Sequence, residues 1–207
     1  MILDILQWPD ARLAQIADEA TVDDGSVDAV IGWGSSTTYQ AMSADAPWFS
    51  PNPDGSRPDL RAPCGPAECL LTDMVHTMMN RGPALGLAAP QIGRAVRAIC
   101  VFEPRSGTVH AMLNPRIVRR GAARTFDLEG CLSVEEGMKR YPVRRAFTVT
   151  VEGLSPRGVK LRVDAKGQLA AAFQHEIDHL DGIVIADRTP PRRKRPLAVV
   201  PKAPEIT

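Results

Sequence analysis

The run Gln174-His175-Glu176-Ile177-Asp178-His179 places two imidazoles four residues apart. A helix turns roughly 100° per residue, so His175 and His179 share one face about a turn apart and can both reach one ion. Glu176 lies about a quarter-turn round, poor as a third ligand but well placed to touch a water beside that ion, which is the position of a base. The same spacing also suits an amphipathic helix that merely carries two histidines, so a third ligand has to decide. Residues Glu129-Gly130-Cys131-Leu132-Ser133 offer one. A thiolate at Cys131, next to a glycine that lets backbone approach closely, would complete a Cys/His/His set with an open fourth position. The competing reading of Cys131 is a small buried hydrophobe.

These residues need elements to hold them. A helix is predicted from near Gln168 to Asp181-Gly182, carrying the two histidines. A second is predicted from Glu68, where Leu70, Leu71, Met74, Val75, Met78 and Met79 repeat at helical spacing up to Gly82-Pro83. Between the two, strands are expected at Val96–Phe102, Ala111–Leu113, Phe147–Val151 and Val159–Val163, each bounded by Gly, Pro or charge. His76 and His110 have no partner at ligand spacing and are read as solvated or hydrogen-bonded histidines. Near the N-terminus, Pro9-Asp10 open a stretch with Leu13, Ile16 and Ala17 that predicts one or two helical turns. Strands mostly joined without helices, followed by one late helix, predict an α+β fold rather than a doubly wound sheet.

Length and charge bound the function. With 207 residues, one domain with a substantial core is expected over 1–188. Residues from about 23 to 66 have no sustained period, and six prolines fall between Pro47 and Pro66. Trp33, Tyr39, Trp48 and Phe49 lie there too, which favours a structured insertion draped on the domain over a disordered linker. The 25 basic and 24 acidic residues nearly cancel, so no global field points to DNA or to an acidic membrane. Acidic residues occupy the N-terminal stretch where a signal peptide needs basic ones, and no apolar run reaches bilayer length, so a cytoplasmic protein is expected. Four cysteines make no disulfide framework, and in a reducing compartment a cysteine that matters is more often a ligand or nucleophile. The stretch 189–207, with Arg192-Arg193-Lys194-Arg195 among five prolines, is expected to be a disordered basic tail, with weak contact to ribosomal RNA as the functional alternative.

Taken in order, Gly86-Leu87-Ala88-Ala89-Pro90-Gln91, Glu129-Gly130-Cys131-Leu132-Ser133 and Gln174-His175-Glu176-Ile177-Asp178-His179-Leu180-Asp181-Gly182 resemble the three signature motifs of the peptide deformylases. The N-terminal Ile5 to Leu13 and the pair Asp187-Arg188 are similar to that family's edges. The resemblance implies antiparallel β-sheets packed around a central metal-binding helix, and Cys131, His175 and His179 as ligands of one divalent ion. That ion is usually Fe2+ in the family, with Zn2+, Ni2+ or Co2+ as substitutes. It also implies Glu176 as general acid/base, and the Gln91 amide with the Leu132 N–H as donors to the developing oxyanion. Leu85, Gly86 and Gly130 would line the substrate cleft, and Ala171 and Ala172, a turn before His175, the pocket for the first side chain. The implied reaction removes the N-formyl group from the N-terminal formylmethionine of nascent polypeptides and releases formate.

Three departures from the family pattern involve four positions. Ala84 stands where a glycine is usual, Leu128 stands where an acid is usual, and Ala171 and Ala172 are smaller than the aliphatics or cysteine often found there. The small pair is expected to widen the first-residue pocket. The departures keep open a deformylase-like enzyme acting on another formylated small molecule or specialised peptide. A non-catalytic, metal-stabilised binding protein is a weaker reading, because structure alone would not require Gln91 and Glu176. A zinc endopeptidase fits Cys131 and Gln91 less well.

Overall fold

A computed structural model describes residues 1–21, 66–82, 84–135 and 139–188. The expected insertion, apart from its last residue, and the expected tail lie outside them. Helix α1 (Pro66–Asn80) carries the predicted stripe, with Leu71, Met74, Val75 and Met78 buried. Five strands form one antiparallel sheet in the order β1 (Gly86–Ala88), β2 (Ala98–Glu103), β3 (Thr108–Arg120), β6 (Thr148–Leu154), β7 (Lys160–Lys166). A separate ribbon pairs β4 (Arg124–Glu129) with β5 (Tyr141–Ala146). Helix α2 (Gln168–Leu180) carries the two histidines, and the four-residue α3 (Ile185–Arg188) ends the described chain.

The two-residue period of a strand sorts side chains onto opposite faces of a sheet. On β2, Ala98 and Cys100 join the core cluster that includes α1, whereas Ile99 and Val101 join the cluster that includes α2. The sheet is therefore covered on both faces at β2, which reads as a nearly continuous apolar run. α2 is packed on one side by the sheet and is approached on another by the β4–β5 ribbon. Every residue from Ala170 to Leu180 is buried, His175, Glu176 and His179 included. A helix buried all round can afford small residues on one face and polar groups on another only if those polar groups are partnered.

Several expectations shift. The N-terminal helix is a single 3-10 turn, Ala11–Ala14, capped by the Asp10 carboxylate on the Arg12 N–H. It stops because the Ala17 N–H is drawn to Leu180 O and the Asp18 N–H to Ala95 O. The short strands β1, β4 and β5 and helix α3 add to the predicted set, and β3 runs far beyond Ala111–Leu113. α2 ends as expected at Gly182, whose φ is +71°, and a Cβ there would meet Ala14 O at 2.7 Å. Cys69 is disulfide-bonded, while Cys100 and Cys131 are free. Ala84 packs against the α1-side core, so the methyl that replaces the usual glycine is accommodated. Leu128 is exposed on β4.

Candidate metal centre and active site

α2 turns His175 and His179 to one side, their ring centroids 5.1 Å apart and nearly edge-on. The loop after β4 brings in Cys131. One ligand atom from each of Cys131, His175 and His179 falls within 4.8 Å of the others, and all three residues are buried. Cys131 Sγ lies 3.2 Å from His179 Nε2. His175 Nδ1 is engaged by Glu129 Oε2 at 2.9 Å, so Nε2 is the ring nitrogen available to an ion. Burial, then the neighbouring His175 and Arg145 charges, push the His179 pKa well below the usual imidazole range. One sulfur and two imidazole nitrogens converging with a carboxylate alongside are a donor set that fits a divalent transition ion.

Glu176 adjoins this group. Its Oε2 is buried with no hydrogen-bond partner among the described residues. Burial pushes its pKa up to about 7, against the opposing pull of His175, so the carboxyl can hold or release a proton near neutrality. Room for it is made by β1: a Cβ on Gly86 would overlap the Glu176 carboxylate, coming 2.7 Å from its Cγ and Cδ.

Gln91 sits in a 3-10 turn, Ala89–Ile92, directly after β1. Its Oε1 accepts from the Ala88 N–H at 2.8 Å, so its Nε2 faces Ser133 Oγ at 3.2 Å and Cys131 Sγ at 3.7 Å. The donor end of the amide thus points toward the metal group. The N-terminal segment ties the two loops together. Leu6 N–H donates to Gln91 O, Gln7 Nε2 to Leu132 O and Trp8 N–H to Ser133 O, at 2.7, 2.9 and 2.7 Å. Ala171 and Ala172 are buried on α2 a turn before His175, and Leu85 packs against the core on the α2 side of the sheet.

A family model for polypeptide deformylase matches residues 63–195. The chain belongs to the peptide deformylase family. It is 44% identical over 121 residues to the peptide deformylase of Natranaerobius thermophilus, spanning 58% of this chain and 75% of that one. It is 45% identical over 134 residues to the peptide deformylase of Pelotomaculum thermopropionicum, spanning 64% and 79%. Among solved structures, the Met-Ala-Ser-bound class I type b peptide deformylase from Acinetobacter baumannii superposes with a TM-score of 0.63 at 25% identity, covering 91% of this chain and 98% of that one. The Legionella pneumophila peptide deformylase gives 0.65 at 27%, covering 92% and 88%.

As a peptide deformylase, this enzyme is a metal-dependent hydrolase that removes the N-formyl group from nascent polypeptides and releases formate. The fold is α+β with antiparallel sheets, as expected. Among the described residues no helix is long and apolar enough to cross a membrane. The candidate residues Cys131, His175, His179, Glu176 and Gln91 come together as described, with Gly86 against Glu176. Sequence reasoning assigned no role to Glu129, Arg145, Asp178, Ser133 or Gln7. Glu129 had a signal, as an acid two residues before a candidate ligand. Arg145, on another strand, had none.

Glu129 is held ionised. Burial opposes its charge, but Arg145 and then His175 outweigh burial and lower its pKa to about 2. Arg145 donates to it through Nε at 2.8 Å and Nη2 at 2.9 Å, a two-point contact that sets the plane of the carboxylate facing His175.

Proposed function

We propose that Cys131, His175 and His179 hold the catalytic ion and that it is Fe2+, with Zn2+, Ni2+ or Co2+ as substitutes. A set of one soft sulfur and two nitrogens supports that choice over an oxygen-preferring ion. When bound, the ion supplies Lewis acidity and a water that ionises near neutral pH. Glu176 takes the proton from the attacking water and delivers it to the departing amine nitrogen, a transfer that amide cleavage requires. The Gln91 Nε2 and the Leu132 N–H stabilise negative charge on the former formyl oxygen, each such donor contributing on the order of 3 kcal/mol. Leu85, Gly86 and Gly130 line the cleft that receives the peptide, and Ala171 and Ala172 border the first side chain.

The observation that carries this reading is the buried, unpartnered Glu176 oxygen beside three converging ligand atoms. Its test is formate release from formyl-Met-Ala-Ser by protein loaded anaerobically with iron(II). Turnover that disappears in Glu176→Ala, with iron still bound, supports the assignment. Iron-bound wild-type protein without turnover sinks it and moves a different formylated substrate ahead.

The small buried pair Ala171 and Ala172 favours one refinement, a first-residue pocket wider than usual. Ala171→Ile should then lower kcat/KM for a formyl-Phe peptide more than for a formyl-Met peptide. An unchanged ratio would remove the idea. Residues 1–188 act as a single catalytic domain carrying the 23–66 insertion, in the cytoplasm where nascent chains emerge. For the basic stretch 189–207 a weak ribosome contact is the alternative to a plain solvated tail, and it requires that salt-sensitive co-sedimentation be lost on truncation after Thr189.

A further inference from the structure

Asp178 lies on α2 three residues beyond His175 and is buried, yet it accepts three charged hydrogen bonds. Arg145 Nη1 reaches its Oδ2 at 2.5 Å, Arg188 Nε reaches the same oxygen at 3.0 Å, and Arg188 Nη2 reaches Oδ1 at 2.6 Å. Arg145 spends its other donors on Glu129, and Glu129 holds His175 Nδ1. Charges therefore alternate along one connected line, Arg188, Asp178, Arg145, Glu129, and the line ends on an imidazole of the metal group. It crosses α3, α2, β5 and β4. We propose that Arg188 is a positioning residue for the metal centre: by saturating Asp178 it leaves Arg145 free to keep its two-point grip on Glu129, and so fixes the His175 ring. The inference rests on His175 being a ligand.

The physical reason is competition between two buried carboxylates for one guanidinium. Without Arg188, Oδ1 of Asp178 has no hydrogen-bond partner among the described residues, and Arg145 becomes the carboxylate's remaining cation. A buried carboxylate with unmet acceptors is costly, so Arg145 is pulled toward Asp178. Its planar fork cannot turn toward Asp178 and stay flat against Glu129. Glu129 loosens, and with it the hydrogen bond that orients the ligand from its far nitrogen.

Arg188 is held in place to do this. Ile185, one turn earlier on α3, is buried in the same small cluster as Cys131, Val134 and Val143, and the Asp187 carboxylate accepts the Val184 N–H at 3.1 Å. The Arg188 side chain itself is 44% exposed, so its replacement leaves no large hole in the core.

The test uses full-length protein loaded with cobalt(II), comparing wild type with Arg188→Met and Arg188→Lys. Cobalt release to excess chelator and the visible spectrum of the bound ion are measured beside thermal unfolding. Arg188→Met should release cobalt about threefold to tenfold faster, somewhat less than the loss typical of a direct partner of a ligand, with an altered spectrum. Arg188→Lys, which keeps the charge but not the fork, should fall between. In the formate assay kcat should drop with KM held. Unchanged release and spectrum in Arg188→Met, whatever the unfolding temperature, overturn the proposal; should that variant not fold, the same readings on Arg188→Lys decide. Wild-type protein whose cobalt spectrum does not respond to His175→Ala would instead overturn the ligand assignment beneath it.

Discussion

Glu176, the proposed acid/base, is distinguished by its burial and by an Oε2 with no hydrogen-bond partner among the described residues. Its carboxylate occupies the space that a side chain on Gly86 would fill, and one oxygen is left unpaired. Two outcomes follow at this scale. Glu176→Gln should keep the ion, measured by metal content, and lower kcat by about 10²- to 10⁴-fold, the usual contribution of a positioned acid/base. Gly86→Ala should push the carboxylate aside and cost about 100-fold in kcat, as misplacement by an ångström commonly does, again with the ion retained. The steric origin of that loss has its own check. In thermal unfolding, Gly86→Ala should destabilise the wild type but have little effect in a Glu176→Ala background, where the space is free; additive effects would contradict the contact. Residue types and spacing made Glu176, His175 and His179 legible from the sequence, since one helical turn is a local property. The need for glycine at 86 was legible only as a motif position, because the group it makes room for lies 90 residues away.

At the scale of elements, the faces of β3 were the least legible. His110 reads in sequence as solvated or hydrogen-bonded. Its Nε2 is instead buried without a hydrogen-bond partner among the described residues, and its ring lies 5.6 Å from that of Phe173 on α2. Pairing His110 with Val101 on β2 turns it to the α2 side, a consequence of register that no local pattern announces. Burial lowers its pKa below 6.5, and Glu103 Oε2 at 3.9 Å, the titratable group facing it from β2, only partly offsets this. A histidine whose folded-state pKa is depressed contributes full stability above its unfolded value and loses it as pH falls through about 6.5 toward the folded value. His110→Leu should therefore flatten the decline of stability between pH 7.5 and pH 5, measured by urea unfolding. An equal decline in both proteins would place the titration elsewhere. The short strands β4 and β5 escaped sequence reading for a related reason. Two arginines and a proline interrupt the six residues of β5, and β4 mixes charged and apolar residues, so neither shows a clean apolar alternation.

For the molecule as a whole, the core and the metal group are largely separate. The two larger clusters lie on the two faces of the five-stranded sheet, while Cys131 belongs to the small cluster under the β4–β5 ribbon. Removing the ion with a chelator should accordingly abolish formate release yet leave the far-ultraviolet circular dichroism nearly unchanged. The free energy of unfolding should fall only by the linkage contribution, about 2.7 kcal/mol at an ion concentration 100 times Kd. Global unfolding on chelation would show that the ion holds the fold itself. The sequence alone determined which residue types stand at helical spacing on α2, with a carboxylate between the two histidines, and the α+β class, because periodicity and motif spacing depend on neighbours a few residues apart. Tertiary structure alone decided that Glu129, Arg145, Asp178 and Arg188 form one line onto His175, that Gly86 opposes Glu176, and that His110 Nε2 is buried beside Phe173. Each of those depends on which strands and helices meet, and the meeting is set by burial summed over the whole chain.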